Sequence, residues 1–204
     1  MGVKREETTL LLLRHGEPEG FGRLLGRRTD PPLTARGEEQ ARRMAERLAA
    51  EPIRAFYASG LARARKTAEI LAEPFNLPVA GVDEVAEMDM GRWGGREMAA
   101  IWREEPDVMR AWWEDMENVP TPGGESLVEL RARVLPAVAA LIERHRGETV
   151  CLVAHGGVNR VILFEVMGVR LKRFHAVEQD YACLNRIRYF EDGNAVVTLV
   201  NSLG

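Results

Sequence analysis

Cysteine is scarce: Cys151 and Cys183 are the only two, both inside apolar strand-like runs, which points to buried free thiols rather than a disulfide framework or a metal site. No apolar run approaches the ~18–20 residues of a membrane span, and the leucine run Leu10–Leu13 is cut short by Arg14. The opening residues, MGVKREETT, lack the apolar core of a secretory signal, and Glu6 stands where a myristoylation signal needs Ser or Thr. A cytoplasmic protein without membrane contact is therefore expected. A surplus of positive charge is also missing. The net charge of −3 gives no general attraction for nucleic acid, so any anion must be held by local arginines. No Pro/Gly/Ser-rich linker, repeat or low-complexity tract divides the 204 residues, and with 46% hydrophobic content a single domain over 1–204 is expected. Nothing here decides the oligomeric state, and a homodimer stays open.

What is present is organised around Thr8–Glu17, TTLLLLRHGE. An apolar run ending in Arg-His-Gly reads as a buried strand that breaks at glycine, leaving a charged pair at its carboxyl edge, where ligands of open α/β sheets bind. The pattern returns at Thr149–Gly157, TVCLVAHGG, which delivers His155 to an equivalent place.

Between them, Thr34 is the expected N-cap of an amphipathic helix over 35–50, and Ile53–Tyr57 the second strand. Ser59 is expected to cap a helix over 60–72 that carries Arg63 in its first turn. A cation there opposes the helix dipole, so Arg63 needs another partner, such as an anion. Residues 78–82 read as a short strand. The stretch 96–119, rich in Trp and Met, breaks the alternation as a helical excursion. Ser126 and Glu129 form a capping box for a helix to about His145, which Pro136 should kink or restart. A helix over 158–167 ends at Gly168, and strands at 182–190 and 195–200 flank the hairpin signal Glu191–Asn194. The expected fold is a three-layer α/β/α sandwich on a mostly parallel sheet, closed by an antiparallel C-terminal hairpin.

Polar residues near glycine at element ends are Arg14, His15, Arg63, Glu87 and His155. Such a set suits phosphoryl transfer. Guanidinium forks match phosphate oxygens, one neutral imidazole can attack phosphorus, a second can stabilise the equatorial oxygens, and a carboxylic acid can protonate the leaving alkoxide. Taken alone, Arg63 would be a surface arginine, and Glu84, Glu87 and Asp89 are equivalent acids by charge. His145, in a helix's last turn, reads as a dipole partner, and His175 has no assigned role.

The segments Leu13–Glu17, Pro32–Ala41, Ser59–Ala68, Glu87–Gly95, Pro122–Ser126 and Val153–Gly157, in this order, resemble the successive motifs of the histidine phosphatase superfamily, the phosphoglycerate-mutase-like clan. The resemblance implies that His15 is the phosphorylated nucleophile, that Arg14, Arg63 and His155 form the phosphate pocket, and that Glu87 is the proton donor. It implies no metal and no cofactor. Phe21, Arg27 and Gly156 are the candidate substrate contacts around that pocket, with Arg23 and Arg28 as alternatives to Arg27. Cofactor-dependent mutases of this clan carry polar residues where this chain has Phe21, Met90 and Gly157, so the chain looks more like the broad-specificity and α-ribazole phosphatases. The expected activity is metal-independent hydrolysis of a small organic phosphate ester. A phosphoglycerate mutase and a non-catalytic phospho-ligand binder are the alternatives. The Trp and Met residues of 96–119, with Phe21, point to a substrate with an apolar or aromatic part.

Overall fold

A computed structural model of the chain describes residues 7–20 and 22–204. Phe21 lies outside the described residues. The strands β1 (Glu7–Arg14), β2 (Ile53–Ala58), β3 (Val79–Gly81), β4 (Thr149–Ala154), β5 (Leu184–Phe190) and β6 (Ala195–Ser202) form one sheet in the order β3-β2-β4-β1-β5-β6. Pairing is parallel from β3 to β1, and β5 runs antiparallel to both β1 and β6, as the sequence predicts.

Alternation along the strands feeds a layer on each face. Leu10 and Leu12 of β1 join Val150 and Leu152 of β4 under the helices α5 (Leu127–Arg144) and α6 (Gly156–Met167). Leu11 and Leu13 join Cys151 and Val153 under α1 (Ala35–Leu48) and α2 (Ala62–Ala72). Both cysteines are free and buried, and burial pushes both thiols up, Cys183 to about 11. Because β1 leaves the sheet through α1 and its neighbour β4 through α6, their chains diverge onto opposite faces. The crevice beyond their carboxyl ends is a topological switch point, where such sheets bind ligands.

The excursion contains two short helices, α3 (Met98–Glu104) and α4 (Pro106–Glu114). Here the expected substrate wall is only partly realised: Met109, Trp112 and Met116 are buried in the core cluster that also holds Trp93, Leu127 and Leu130, whereas Trp102 and Trp113 stay exposed. Two helix expectations also need correction. Ser59 does not cap α2: the helix begins at Ala62, its N-cap Leu61 supplies no side chain, the Ser59 hydroxyl accepts only the preceding Leu61 N–H at 3.4 Å, and the Ala62 N–H donates instead to Asp30 Oδ2 at 2.6 Å. Pro136 does not restart α5. The Ser126–Glu129 capping box starts the helix well before it, and buried Leu130, Val134, Val138 and Leu141 hold the helix through the one missing N–H donor.

Candidate active site

The β1–β4 register builds the centre. Arg14 pairs with Ala154, so the next residues, His15 and His155, leave adjacent parallel strands side by side. Their rings meet edge to face with centroids 5.1 Å apart, and both are buried. His15 Nδ1 lies 2.7 Å from the Gly16 carbonyl, and Arg63 Nε donates to His15 Nε2 at 3.3 Å. A carbonyl can only accept and a guanidinium can only donate, so the ring proton sits on Nδ1 and Nε2 presents a lone pair. Burial, reinforced by the charges of Arg14 and Arg63, holds the His15 pKa well below the usual imidazole range, which keeps that lone pair free of protons at neutral pH.

Arg63 has no exposed surface. Its Nη1 donates to the Thr29 carbonyl at 2.9 Å and to Asp30 Oδ1 at 3.0 Å, and its Nη2 to the Gly26 carbonyl at 3.3 Å. Asp30 thereby both caps α2 and pairs with the arginine in its first turn, which answers why a cation can stand there. Burial lowers the Arg63 pKa while the charges of Glu87 and Asp30 oppose that shift, so the guanidinium remains charged.

Arg14 packs with its guanidinium carbon 3.9 Å from the centre of the Tyr181 ring and donates from Nη1 to the Gln179 carbonyl at 2.5 Å. Its Nε, and Nδ1 of His155, are buried nitrogens without a hydrogen-bond partner. Native structures rarely leave such atoms unpaired. One belongs to the ring that meets His15 edge to face and the other to the residue before His15, so both are available to an anion's oxygens. The Ser59 hydroxyl is 2.6 Å from His155 Nε2, which fixes that ring's orientation and explains why Ser59 is not available to cap α2. Burial and the surrounding positive groups lower the His155 pKa as well.

Glu87 arrives from another loop and is pinned by backbone amides: Met88 N–H donates to Oε1 at 2.8 Å and Gly157 N–H, in the first turn of α6, to Oε2 at 3.2 Å. The loop is held from behind. Arg133 Nη2 donates to the Glu87 carbonyl at 3.0 Å and pairs with Glu125 at 2.6 Å, and Glu125 in turn accepts from the Asp89 N–H at 2.8 Å. Gly157 must be small: a Cβ there would stand 2.4 Å from Glu87 Oε1. Gly157→Ala is therefore expected to displace the carboxyl and lower kcat by about 10- to 100-fold. The contact is with the far end of a flexible side chain, so the melting temperature should move by only a few degrees. Calorimetry and steady-state kinetics on the purified variant check both halves, and an unfolded variant or one with full activity would contradict this reading.

All of Arg14, His15, Arg63, Glu87 and His155 thus converge. Gly156 lies among them, and a Cβ there would stand in ordinary contact with the Arg14 guanidinium, 3.5 Å from its Nε. Of the loop arginines, Arg28 is committed to Asp89 at 2.7 Å, and Arg23 and Arg27 are exposed, with no side-chain bond to the cluster among the described residues. Sequence reasoning missed the supports. Asp30 and Arg133 look like ordinary surface charges, and Tyr181 and Gln179 belong to no motif; Ser59, beside glycine at a strand end, and Glu125, within the segment Pro122–Ser126, carried a usable signal.

The family model for the histidine phosphatase superfamily (branch 1) matches residues 10–202. Phosphoserine phosphatase 1 of Hydrogenobacter thermophilus is 34% identical over 192 residues, covering 93% of this chain and 90% of that protein. A Salmonella choleraesuis protein named "Probable phosphoglycerate mutase GpmB" is 31% identical over 181 residues, covering 88% and 84%. The crystal structure of the α-ribazole phosphatase from Shigella flexneri superposes with a TM-score of 0.86 at 28% identity, covering 96% of this chain and 98% of that one. The chain belongs to the histidine phosphatase superfamily, and is a phosphatase of it.

Proposed function

We propose that the protein hydrolyses a small organic phosphate monoester through a phosphohistidine at His15, without a metal. The observation that carries this is the tautomer lock: Nδ1–H of His15 donates to the Gly16 carbonyl, which leaves Nε2 as the nucleophile beside two unpartnered nitrogens. In the first step Nε2 bonds to phosphorus as the ester P–O bond breaks, and the departing alkoxide takes the proton carried by Glu87. Arg14, Arg63 and His155 hold the equatorial oxygens meanwhile, the two guanidiniums supplying positive charge and His155 a hydrogen bond. In the second step Glu87, now a carboxylate, takes a proton from water as the water oxygen attacks phosphorus and the N–P bond breaks. Inorganic phosphate leaves and His15 returns neutral.

Hydrolysis is favoured over the mutase reaction by two positions. Met90 is buried and Gly157 lies against Glu87, so neither offers a polar side chain to a sugar acid. The named relatives act on varied esters, which leaves the leaving group open.

Glu87→Gln tests the two steps together. With para-nitrophenyl phosphate, whose leaving group needs little protonation, the variant should still phosphorylate His15 but hydrolyse the intermediate slowly. Intact-protein mass spectrometry after rapid quenching should then show one phosphoryl group, localised to His15 by peptide mapping and absent in the wild type at steady state. Binding without any phosphoryl transfer would instead indicate a phospho-ligand binder, and a phosphoryl group on another residue would refute the mechanism.

A further inference from the structure

Three buried carboxamides lie behind the phosphate cradle of Arg14, Arg63 and His155 and have no part in the reaction derived above: Asn159 on α6, Gln179 in the loop 177–183, and Asn185 in β5. Gln179 and Asn185 form a reciprocal pair. Gln179 Nε2 donates to Asn185 Oδ1 at 2.8 Å, and Asn185 Nδ2 donates to Gln179 Oε1 at 2.8 Å and to the Leu12 carbonyl of β1 at 3.0 Å. The Asn159 amide meets the same Gln179 oxygen at 3.0 Å, and Gln179 Nε2 also donates to the Glu178 carbonyl at 2.9 Å. Apolar side chains of similar size would fill this space without desolvating polar groups, so the amides need another use. A satisfied buried network holds one backbone arrangement where apolar contact alone would allow several.

What the amides hold is the loop, and the loop grips the end of β1. The Arg14 N–H donates to the Cys183 carbonyl at 3.1 Å and the Ala182 N–H to the His15 carbonyl at 3.0 Å, so backbone bonds bracket the two site residues. The Gln179 carbonyl accepts from Arg14 Nη1, and the Tyr181 ring lies against the guanidinium, its centre 3.9 Å from the guanidinium carbon. Next to that tyrosine, Ala182 is buried with a φ of 58°, a left-handed conformation that is costly for alanine and persists only where the surroundings impose it. Held from behind in this way, the guanidinium keeps its buried, unpartnered Nε for the substrate.

An arginine side chain left to itself samples many rotamers, and each one that turns away from the phosphate lowers the effective concentration of its donors at the reacting group. We propose that Gln179 and Tyr181 are positioning residues that act on the phosphoryl group through Arg14. Gln179 anchors the loop with its side chain and stops the guanidinium with its carbonyl, and Tyr181 supports the guanidinium plane. This rests on the phosphomonoesterase reading and adds to it the means by which one of the two guanidiniums is preorganised.

The test is a double-mutant cycle on the purified protein, each variant assayed well below its melting temperature. Hydrolysis of para-nitrophenyl phosphate gives kcat/KM, and inhibition by vanadate, a mimic of the transferring phosphoryl group, gives a second readout. Gln179→Met keeps the length of the side chain and removes its amide; it should lower kcat/KM by about 10- to 100-fold and weaken vanadate by a similar factor. Arg14→Met should cost at least as much. The double variant should lose less than about twofold beyond Arg14→Met, because the loop then has nothing to hold, whereas a loss caused by a weakened fold would multiply through unchanged. Equal factors for Gln179→Met in the two backgrounds overturn the proposal, and so does a Gln179→Met with wild-type kcat/KM. If Gln179→Met does not fold, the same cycle on the half-buried Tyr181 decides. Tyr181→Ala should then lower kcat/KM by about five- to tenfold in the wild-type background and by less than about twofold beside Arg14→Met, while Tyr181→Phe, which keeps the ring, stays close to the wild type. A Tyr181→Ala factor that is the same in both backgrounds overturns the proposal. An Arg14→Met as active as the wild type leaves nothing to position and sinks this inference alone; a wild type that hydrolyses no para-nitrophenyl phosphate overturns the phosphomonoesterase reading and this inference with it.

Discussion

Replacing His15 with alanine should lower phosphatase activity by at least about 10⁴-fold, because no other group on the protein can form the bond to phosphorus. At the centre it is His15 whose tautomer is fixed, with Nδ1–H on the Gly16 carbonyl behind it and the bare Nε2 facing the guanidinium of Arg63. His155 cannot replace it: its Nε2 is held by Ser59 at 2.6 Å, and its free nitrogen is Nδ1, on the other side of the ring. The measurement is para-nitrophenyl phosphate hydrolysis by purified His15→Ala in the presence of chelator, with circular dichroism to confirm folding. Residual activity above about one per cent of the wild type would place the nucleophile elsewhere, since a lost covalent catalyst leaves only binding and charge stabilisation behind.

Arg63→Met should be damaging in two independent ways. Asp30 would lose its buried partner and the carbonyls of Thr29 and Gly26 their donors, an arrangement whose disruption costs about 3–5 kcal/mol of folding stability. Catalysis should fall by about 10³-fold or more, as expected when a preorganised guanidinium is withdrawn from a transferring phosphoryl group. Denaturant titration and steady-state kinetics separate the two. Arg63→Lys sharpens the comparison: it retains the charge but cannot reach Thr29, Asp30, Gly26 and His15 with one rigid fork, so it should recover part of the stability and little of the rate. A methionine variant as stable as the wild type would mean that the Asp30 pair and the backbone contacts contribute nothing net.

The strands and helices were legible because burial on two faces writes itself into alternation and into the 3.6-residue period, as in Leu10–Leu13 and Ala41–Leu48. His15 and His155 were legible because each stands beside glycine at the end of a strand, whereas Arg63 and Glu87 were legible only through the motifs that occur in one order along the chain. Three misreadings share a cause. Ser59 was expected to cap a helix, Met109, Trp112 and Met116 to line a substrate wall, and Pro136 to kink α5 or restart it, of which the restart does not occur; each expectation weighed a residue against its sequence neighbours alone. In the fold their partners come from elsewhere: His155 claims Ser59, the α5 core claims the Met and Trp side chains, and a capping box with four buried apolar contacts outweighs one proline.

By itself the chain determines which groups are available for chemistry and that they end separate strands and helices, since side-chain type and local periodicity are properties of consecutive residues. Which nitrogen of His15 is bare, which carboxylate faces the cradle, and which arginines pair with carboxylates were decided by tertiary structure alone. Those are distances and desolvation effects between residues far apart in the chain, and the free energies that set them appear only when β1 and β4 lie side by side and the acid loop closes over α6.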